Sequence, residues 1–306
     1  MRQSTKAILL GGVAVLSWST VATAFKIALS QMSVFETLLI ASLTALAGFT
    51  IVMTAERRWH ELITVSRRDM LTMILGGVIN PAVYYLVLFE SYDLLPAQIA
   101  QPINYIWPIL LLVLLAVFRN QRVPARKYIG MAISLAGVAV ISLGGKEISG
   151  SLSLPGLLLG ALSALLWASY WMINDSLKQR VSQSVSLWTG FASGSVILLA
   201  ASLFVNVSIT SYAALLSGVY VGLFEIAVPF ACFGMAIRIT DNPALINQMC
   251  YLAPFMSLFL IHMVLGEPIV ATTYIGLLLI VGGIVYNTYF ADQTKIQPVT
   301  QQNNIE

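Results

Sequence analysis

The chain has 306 residues, of which 58% are hydrophobic and only 9% charged, and its mean hydropathy is +0.85. Soluble proteins carry about 25% charged residues, so this composition excludes a water-soluble globular protein. Apolar runs long enough to cross a bilayer recur from end to end. The net charge of +3 is small, and nothing in its distribution favours nucleic acid as a partner. The sequence therefore predicts a polytopic membrane protein.

Apolar segments of about 20 residues divide the chain into ten predicted helices with short connections. In chain order their ranges are roughly 7–29, 34–54, 70–91, 94–118, 126–144, 153–175, 184–205, 210–237, 242–265 and 270–290. The predicted fold is therefore all-α and integral to the membrane, with ten transmembrane helices. Residues 292–306 are polar and are predicted to form a disordered cytoplasmic tail.

The basic residues predict the orientation of the chain, because Lys and Arg are retained on the cytoplasmic side of short loops. With the N-terminus inside, fourteen of the 16 Lys and Arg residues lie on the cytoplasmic side. Lys146 lies outside and Lys26 lies within the first span. Ten spans place both termini in the cytoplasm.

The sequence also contains an internal repeat. Leu9-Leu10-Gly11 through Trp18 returns as Leu158-Leu159-Gly160 through Trp167 at an offset of 149, and Tyr105 returns as Tyr251 at an offset of 146. Five spans per repeat is an odd number, so the two predicted repeats, 1–146 and 147–291, have opposite orientations. Inverted repeats around a midplane site are typical of secondary transporters. The start of the chain up to Ala24 also resembles a cleavable signal peptide, but a helix with a repeat partner argues against removal.

Several short motifs carry a resemblance to a known family. They are Trp18-Ser19-Thr20, Asn104-Tyr105-Ile106-Trp107-Pro108, Trp167-Ala168-Ser169-Tyr170 and Gly266-Glu267-Pro268. Over nearly its whole length the chain resembles the drug/metabolite transporter superfamily, in particular its EamA-type ten-helix exporters. The Asn-Tyr-x-Trp-Pro stretch, together with Lys26 eight residues after Trp18, is most similar to the bacterial aromatic amino acid exporters. The resemblance implies export of a small metabolite by alternating access.

Polar residues on two predicted helices mark a candidate substrate cavity. Gln98, Gln101 and Tyr105 follow i, i+3, i+7 spacing and therefore share one helix face. Asn247 and Tyr251 form the corresponding stripe on the ninth helix. The two stripes should line one cavity, with Asn104 and Gln248 at its margins. The alternative is hydrogen bonding between helices with no ligand.

Aromatic residues form a second candidate group. Trp at a bilayer edge is usually an interfacial anchor, but Trp18 and Trp167 lie deep in their spans. Aromatic walls suit a flat or amphipathic substrate, or a cation, and plain packing is the competing interpretation. The aromatic residues of this second group that are predicted to bind substrate are Trp18, Tyr84, Trp107, Trp167, Tyr170 and Trp171.

Glu225 is predicted to lie deep in the eighth span, with no basic residue at comparable depth. A charge at the bilayer centre costs about 2.5–3.5 kcal/mol on insertion scales, so we expect this carboxyl to be protonated. It is a candidate for coupling transport to protons. The alternative is a structural hydrogen bond to backbone freed by Pro81 or Pro229, two of the prolines predicted to bend their helices.

The sequence does not supply the groups that an enzyme needs. Its two histidines lie in a loop and near a span end, and Cys232 and Cys250 lie inside spans, so we expect no catalysis, no metal and no cofactor. The expected partners are a small-molecule substrate and the lipid bilayer, with protons as a further candidate, and the protein is expected to act as a monomer or homodimer. The leading function is export of a small amphipathic metabolite across the inner membrane, with amino acids, and among them the aromatic ones, as the candidate class. The alternative is a proton-coupled exporter of multiple drugs or cationic compounds.

Overall fold

The computed structural model describes residues 3–119, 125–144, 153–177, 180–209, 211–239, 246, 249–250, 252–266 and 269–289. All regular secondary structure in these ranges is helical. The first repeat contains α1 (Gln3–Leu29), α2 (Val34–Ala55), the short α3 (Glu61–Thr64), α4 (Arg67–Gly77), α5 (Tyr84–Leu94), α6 (Ala97–Asn104), α7 (Trp107–Arg119) and α8 (Ala125–Gly144). It is followed by α9 (Leu154–Leu177), α10 (Gln183–Ala201), α11 (Tyr212–Val221), α12 (Val228–Ile239), α13 (Leu252–Leu260) and α14 (Ala271–Tyr289).

The helices are long and apolar enough for a multi-pass membrane protein. Within the described ranges, seven segments can cross a bilayer, and they coincide with predicted spans one to four and six to eight. Three shorter apolar helices, Ile129–Val140, Met256–Leu265 and Ala271–Gly283, lie in the remaining predicted spans. Some ends differ from the prediction: α10 ends at Ala201 and not near 205, and the third span starts already at Arg67.

Several spans are interrupted along their length. A π-helical turn, Val78–Val83, joins α4 to α5, and Asn80 within it has non-helical backbone angles of φ −139° and ψ 115°. Pro81 lacks the N–H that a continuous helix would need there. The fourth span breaks at Tyr105, between α6 and α7. A second π-helical turn, Gly222–Ala227, joins α11 to α12 in the eighth span. A further π-helical turn, Ile261–Leu265, follows α13 at the end of the ninth predicted span.

Glycines allow α4 and α11 to approach neighbouring helices closely. A Cβ added at Gly77 would collide with the backbone oxygen of Gly190 on α10, and one at Gly222 would meet the backbone oxygen of Ala41 on α2 at 2.5 Å. Gly222 follows Gly77 by 145 residues, and Gly190 follows Ala41 by 149. The same contact therefore occurs twice between the two halves of the chain, with the roles of the halves exchanged.

The helix pair α8 and α14 shows a similar correspondence. A Cβ at Gly137 would collide with the backbone oxygen of Gly276, and a Cβ at Gly283 would collide with that of Gly130. Gly283 follows Gly137 by 146 residues, and Gly276 follows Gly130 by the same number. The stretch containing Gly190 and Gly194 packs against Gly77 and Pro81 and is therefore a packing face.

Polar contacts fasten the α2–α10 region at both ends of the bundle. At one end, Arg180 Nη2 lies 2.8 Å from Asp69 Oδ1, and the Ser182 N–H donates to Glu61 Oε1 at 2.6 Å. At the other end, the Ser208 N–H donates to Glu36 Oε1 at 2.6 Å. These contacts join segments far apart in sequence and hold the walls of the bundle together.

Candidate binding cavity

A cavity lies between the interrupted helices. Its empty volume is about 560 Å³, including the mouth that opens to solvent, so it is a cleft and not a sealed void. Aromatic residues dominate the lining, and the polar groups are few. The lining residues are Trp18, Val21 and Phe25 of α1, Tyr84, Leu88 and Tyr92 of α5, Gln101, Asn104, Tyr105 and Trp107 around the break in the fourth span, Trp167 and Trp171 of α9, Glu225, Phe233 and Cys250.

Trp167 is the centre of the aromatic wall. Its ring centroid lies 4.7 Å from that of Tyr84 and 5.4 Å from that of Phe230. Trp107 and Trp171 stack beside it, with centroids 6.2 Å apart and an interplanar angle of 20°. Aromatic pairs at these separations attract one another beyond simple area burial, so the rings form a preorganised apolar surface from several helices.

A chain of hydrogen bonds fixes the carboxamide of Asn104. The Tyr84 hydroxyl donates to Asn104 Oδ1 at 3.4 Å, and Asn104 Nδ2 donates to Ser163 Oγ at 2.9 Å. Ser163 in turn donates to the Gly160 carbonyl at 2.7 Å. The orientation of the Asn104 amide is therefore set by α5 and α9 together.

Asn104, which we expected at the margin of the cavity, is among the residues that line it, as are Gln101 and Tyr105. The backbone changes direction at this point, because α6 ends at Asn104 and Tyr105 has ψ 6°, outside helical geometry. A strict helical spacing across this point therefore does not describe which side chains share a face.

Glu225 lies in the π-helical turn of the eighth span and is 6% exposed. Its Oε1 accepts a hydrogen bond from the Tyr85 hydroxyl at 3.1 Å. Its backbone oxygen accepts another from Trp18 Nε1 at 3.2 Å. A structural role for Glu225 was expected to involve a hydrogen bond to the backbone near Pro81 or Pro229. The side chain is instead bound by the hydroxyl of Tyr85. Among the described residues that line the cavity, none is Lys or Arg.

The structure brings most of the predicted site residues together. Those that line the cavity are Trp18, Tyr84, Gln101, Asn104, Tyr105, Trp107, Trp167, Trp171 and Glu225. Tyr170 instead packs behind the wall, with its ring centroid 5.7 Å from that of Trp167. The side chain of Gln98, together with Asn247, Gln248, Tyr251 and the tail 292–306, lies outside the described part of the chain.

Sequence reasoning missed several members of the site. Tyr85 is 0% exposed, and the double tyrosine that follows Pro81 could have indicated it. Cys250 lines the cavity, and it is the repeat counterpart of Asn104 at an offset of 146. Ser163 follows Gly160 by three residues, and no sequence pattern indicates its bond to Asn104.

Comparisons with known proteins agree with this architecture. The model of the EamA-like transporter family matches the chain twice, at residues 5–143 and 154–289. The chain is 24% identical over 292 residues to the aromatic amino acid exporter YddG of Ancylobacter novellus, covering 94% of this chain and 98% of that protein. It is 26% identical over 244 residues to the uncharacterized transporter YvbV of Bacillus subtilis (strain 168), covering 79% of this chain and 78% of the relative.

A solved crystal structure has a similar fold. It superposes with a TM-score of 0.69 at 23% sequence identity and covers 95% of this chain and 99% of its own. The two family matches together span most of the sequence, and the helices around the cavity are those of a membrane transporter. This chain belongs to the EamA-like transporter family, within the drug/metabolite transporter superfamily.

Proposed function

We propose that this protein exports aromatic amino acids, or closely related small amphipathic metabolites, by alternating access across the inner membrane. The observation that carries the proposal is the cavity lined by Trp18, Trp107 and Trp167 together with two polar residues, Gln101 and Glu225. An aromatic side chain can stack on such a wall. The amide and carboxyl groups can bind the ammonium and carboxylate of an amino acid. The name of the Ancylobacter novellus relative supports the same substrate class.

We further propose that the transport unit consists of ten spans in two inverted repeats, 1–146 and 147–291, with both termini in the cytoplasm. The duplicated glycine contacts of α4 with α10 and of α11 with α2 support this arrangement, as do the two separate matches of the family model. The distribution of Lys and Arg supports the orientation. Two halves of similar fold and opposite orientation can exchange conformations, so that one cavity opens to one side of the membrane in one state and to the other side in the second state.

A second candidate function is proton-coupled export of cationic compounds. Glu225 favours it, because a buried carboxyl beside Trp18 and Phe233 offers an ionised oxygen and aromatic faces to a cation. A proton and a cationic substrate would then compete for one group. An amino acid also carries an ammonium group, so both candidate functions use the carboxyl of Glu225. The two substrate classes differ because an amino acid also carries a carboxylate.

Counterflow in proteoliposomes separates the two functions. Vesicles holding the purified protein are loaded with unlabelled tryptophan and supplied outside with labelled tryptophan. We expect saturable uptake that phenylalanine inhibits and that Trp167→Ala removes. Inhibition by tetraphenylphosphonium but not by phenylalanine would favour the cation exporter. An absence of counterflow with tryptophan, phenylalanine and tyrosine would refute the aromatic amino acid proposal.

A further inference from the structure

Asn80 is a fully buried amide in the middle of a membrane span. It is 0% exposed and lies in the interrupted segment between α4 and α5. Neither Nδ2 nor Oδ1 has a hydrogen-bond partner in the described part of the chain. A buried polar group without partners destabilises a fold, and a leucine of similar size would avoid that cost. The role of Asn80 is therefore not explained by this conformation alone.

The duplicated packing identifies the counterpart of Asn80 in the second half of the chain. The helices α4 and α11 begin at Arg67 and Tyr212, and the close-packed glycines at or just after their ends are Gly77 and Gly222. Both pairs differ by 145 residues. At the same offset, the counterpart of Asn80 is Glu225. The two positions lie three residues after these glycines, in the π-helical turns Val78–Val83 and Gly222–Ala227.

The two counterparts have different surroundings in this conformation. Glu225 lines the cavity, and Trp18 Nε1 donates to its backbone oxygen at 3.2 Å. The repeat counterpart of Trp18 is Trp167, but among the described residues no such bond joins Trp167 to Asn80. Asn80 is also not among the described residues that line the cavity. The structure is therefore asymmetric at the two positions that the repeat makes equivalent.

We propose that Asn80 lines the substrate cavity in the opposite-facing conformation, in the place that Glu225 occupies here. The inference rests on the proposed alternating access, since inverted repeats reach the second state by exchanging conformations. Position 80 then takes the surroundings of position 225, and Trp167 holds its backbone oxygen. The carboxamide pairs there with a polar group of the substrate. An ammonium-bearing substrate meets a carboxyl on one side of the membrane and a neutral amide on the other, which favours release on the Asn80 side.

Accessibility to thiol reagents tests the assignment without any substrate. Asn80→Cys and Glu225→Cys are treated with a membrane-impermeant methanethiosulfonate from each side of the membrane. Labelling is read at each residue by mass spectrometry, so that Cys232 and Cys250 can stay. We expect the cysteine at position 80 to react from one side and the cysteine at position 225 from the other. Ala82→Cys, a buried position in the same turn, is the matched control and should not react from either side.

Two labelling results would overturn the assignment. One is a cysteine at position 80 that reacts from neither side in a protein that remains folded, and the other is reaction of both cysteines from the same side. If the wild-type protein moves no aromatic amino acid and the labelling is still two-sided, the proposed substrate is wrong and the Asn80 assignment stands. If tryptophan exchanges but position 80 is inert, the Asn80 assignment alone fails.

Asn80→Leu provides a second measurement that does not depend on cysteine variants. The substitution removes the unpartnered amide from this conformation, so we expect a higher melting temperature. It removes the group that pairs in the other conformation, so we expect tryptophan exchange to slow by about tenfold or more. A lower melting temperature with unchanged exchange would assign Asn80 a structural role and contradict the proposal.

Discussion

Glu225→Gln separates the proton site from the hydrogen bond that the same side chain makes. The Tyr85 hydroxyl donates to Glu225 Oε1 at 3.1 Å, and the carbonyl oxygen of a glutamine can accept the same bond. Breaking that bond would leave a buried group without a partner, at a cost of about 1–3 kcal/mol. We therefore expect Glu225→Gln to melt near the wild-type temperature and Tyr85→Phe to melt lower. The two variants therefore distinguish loss of the ionisable carboxyl from loss of the hydrogen bond.

The size of the transport effect follows from the energy of the proton gradient. One pH unit supplies about 1.4 kcal/mol per proton at 25 °C, which can sustain a roughly tenfold substrate gradient if one proton moves per substrate. If Glu225 carries that proton, Glu225→Gln should sustain no gradient at all. Exchange of tryptophan at equal concentrations on both sides should persist, because exchange need not move a proton. Tyr85→Phe keeps the carboxyl and should remain coupled, although slower.

The assay uses proteoliposomes with an imposed pH difference and measures tryptophan at steady state. Wild-type protein should accumulate tryptophan about tenfold per pH unit, and Glu225→Gln should only equilibrate it. Accumulation by Glu225→Gln at the wild-type level would refute proton coupling through this residue. Loss of exchange together with a lowered melting temperature would indicate that the carboxyl serves packing instead.

Further predictions address the cavity, the packing and the topology. Gln101→Leu should abolish tryptophan counterflow and leave the melting temperature nearly unchanged, because it removes a ligand partner from the cavity wall and adds no charge. Counterflow by Gln101→Leu at the wild-type rate would contradict the cavity assignment. Gly77→Ala should destabilise the protein by about 1–3 kcal/mol or more, since its Cβ meets backbone, whereas Gly12→Ala, which has nothing within 4 Å, should have little effect on the melting temperature. A cysteine replacing Leu62 should react only with membrane-permeant reagents, and one replacing Glu147 should react from outside; external labelling at position 62 would reverse the proposed orientation.

Hydrophobicity predicted the positions of the spans well, because burial in lipid acts on long segments and tolerates local irregularity. The helix breaks were harder to predict. Pro81 indicated a bend, but Pro102 lies within α6 without ending it, and the break follows at Tyr105. Proline removes one backbone donor, and whether the helix then opens depends on what the neighbouring helices offer. That information is tertiary, so the sequence alone does not give the position of the break.

The partner of Glu225 illustrates the same limit. Depth in the span was enough to single out the carboxyl, but Tyr85 comes from a different repeat, 140 residues away. Their contact depends on how α5 packs against the π-helical turn Gly222–Ala227. The glycines Gly77 and Gly222 indicate that the third and eighth spans correspond, because they are 145 residues apart. The repeat matches that the sequence offers most plainly, Trp18 with Trp167 and Tyr105 with Tyr251, lie in other spans.

Three of the interruptions, at Val78–Val83, at Tyr105 and at Gly222–Ala227, each lie at a buried polar side chain. Asn80, Asn104 and Glu225 are 0%, 8% and 6% exposed, and each lies within or directly beside a break. In hydrocarbon, a freed backbone group and a polar side chain both need partners, and lipid supplies none. Irregular backbone at membrane depth is therefore tolerated only where protein or a polar cavity covers it. Because of this requirement, the polar side chains and the irregular backbone lie in the same place. The residues available to bind a substrate are therefore also those on the segments that can change conformation.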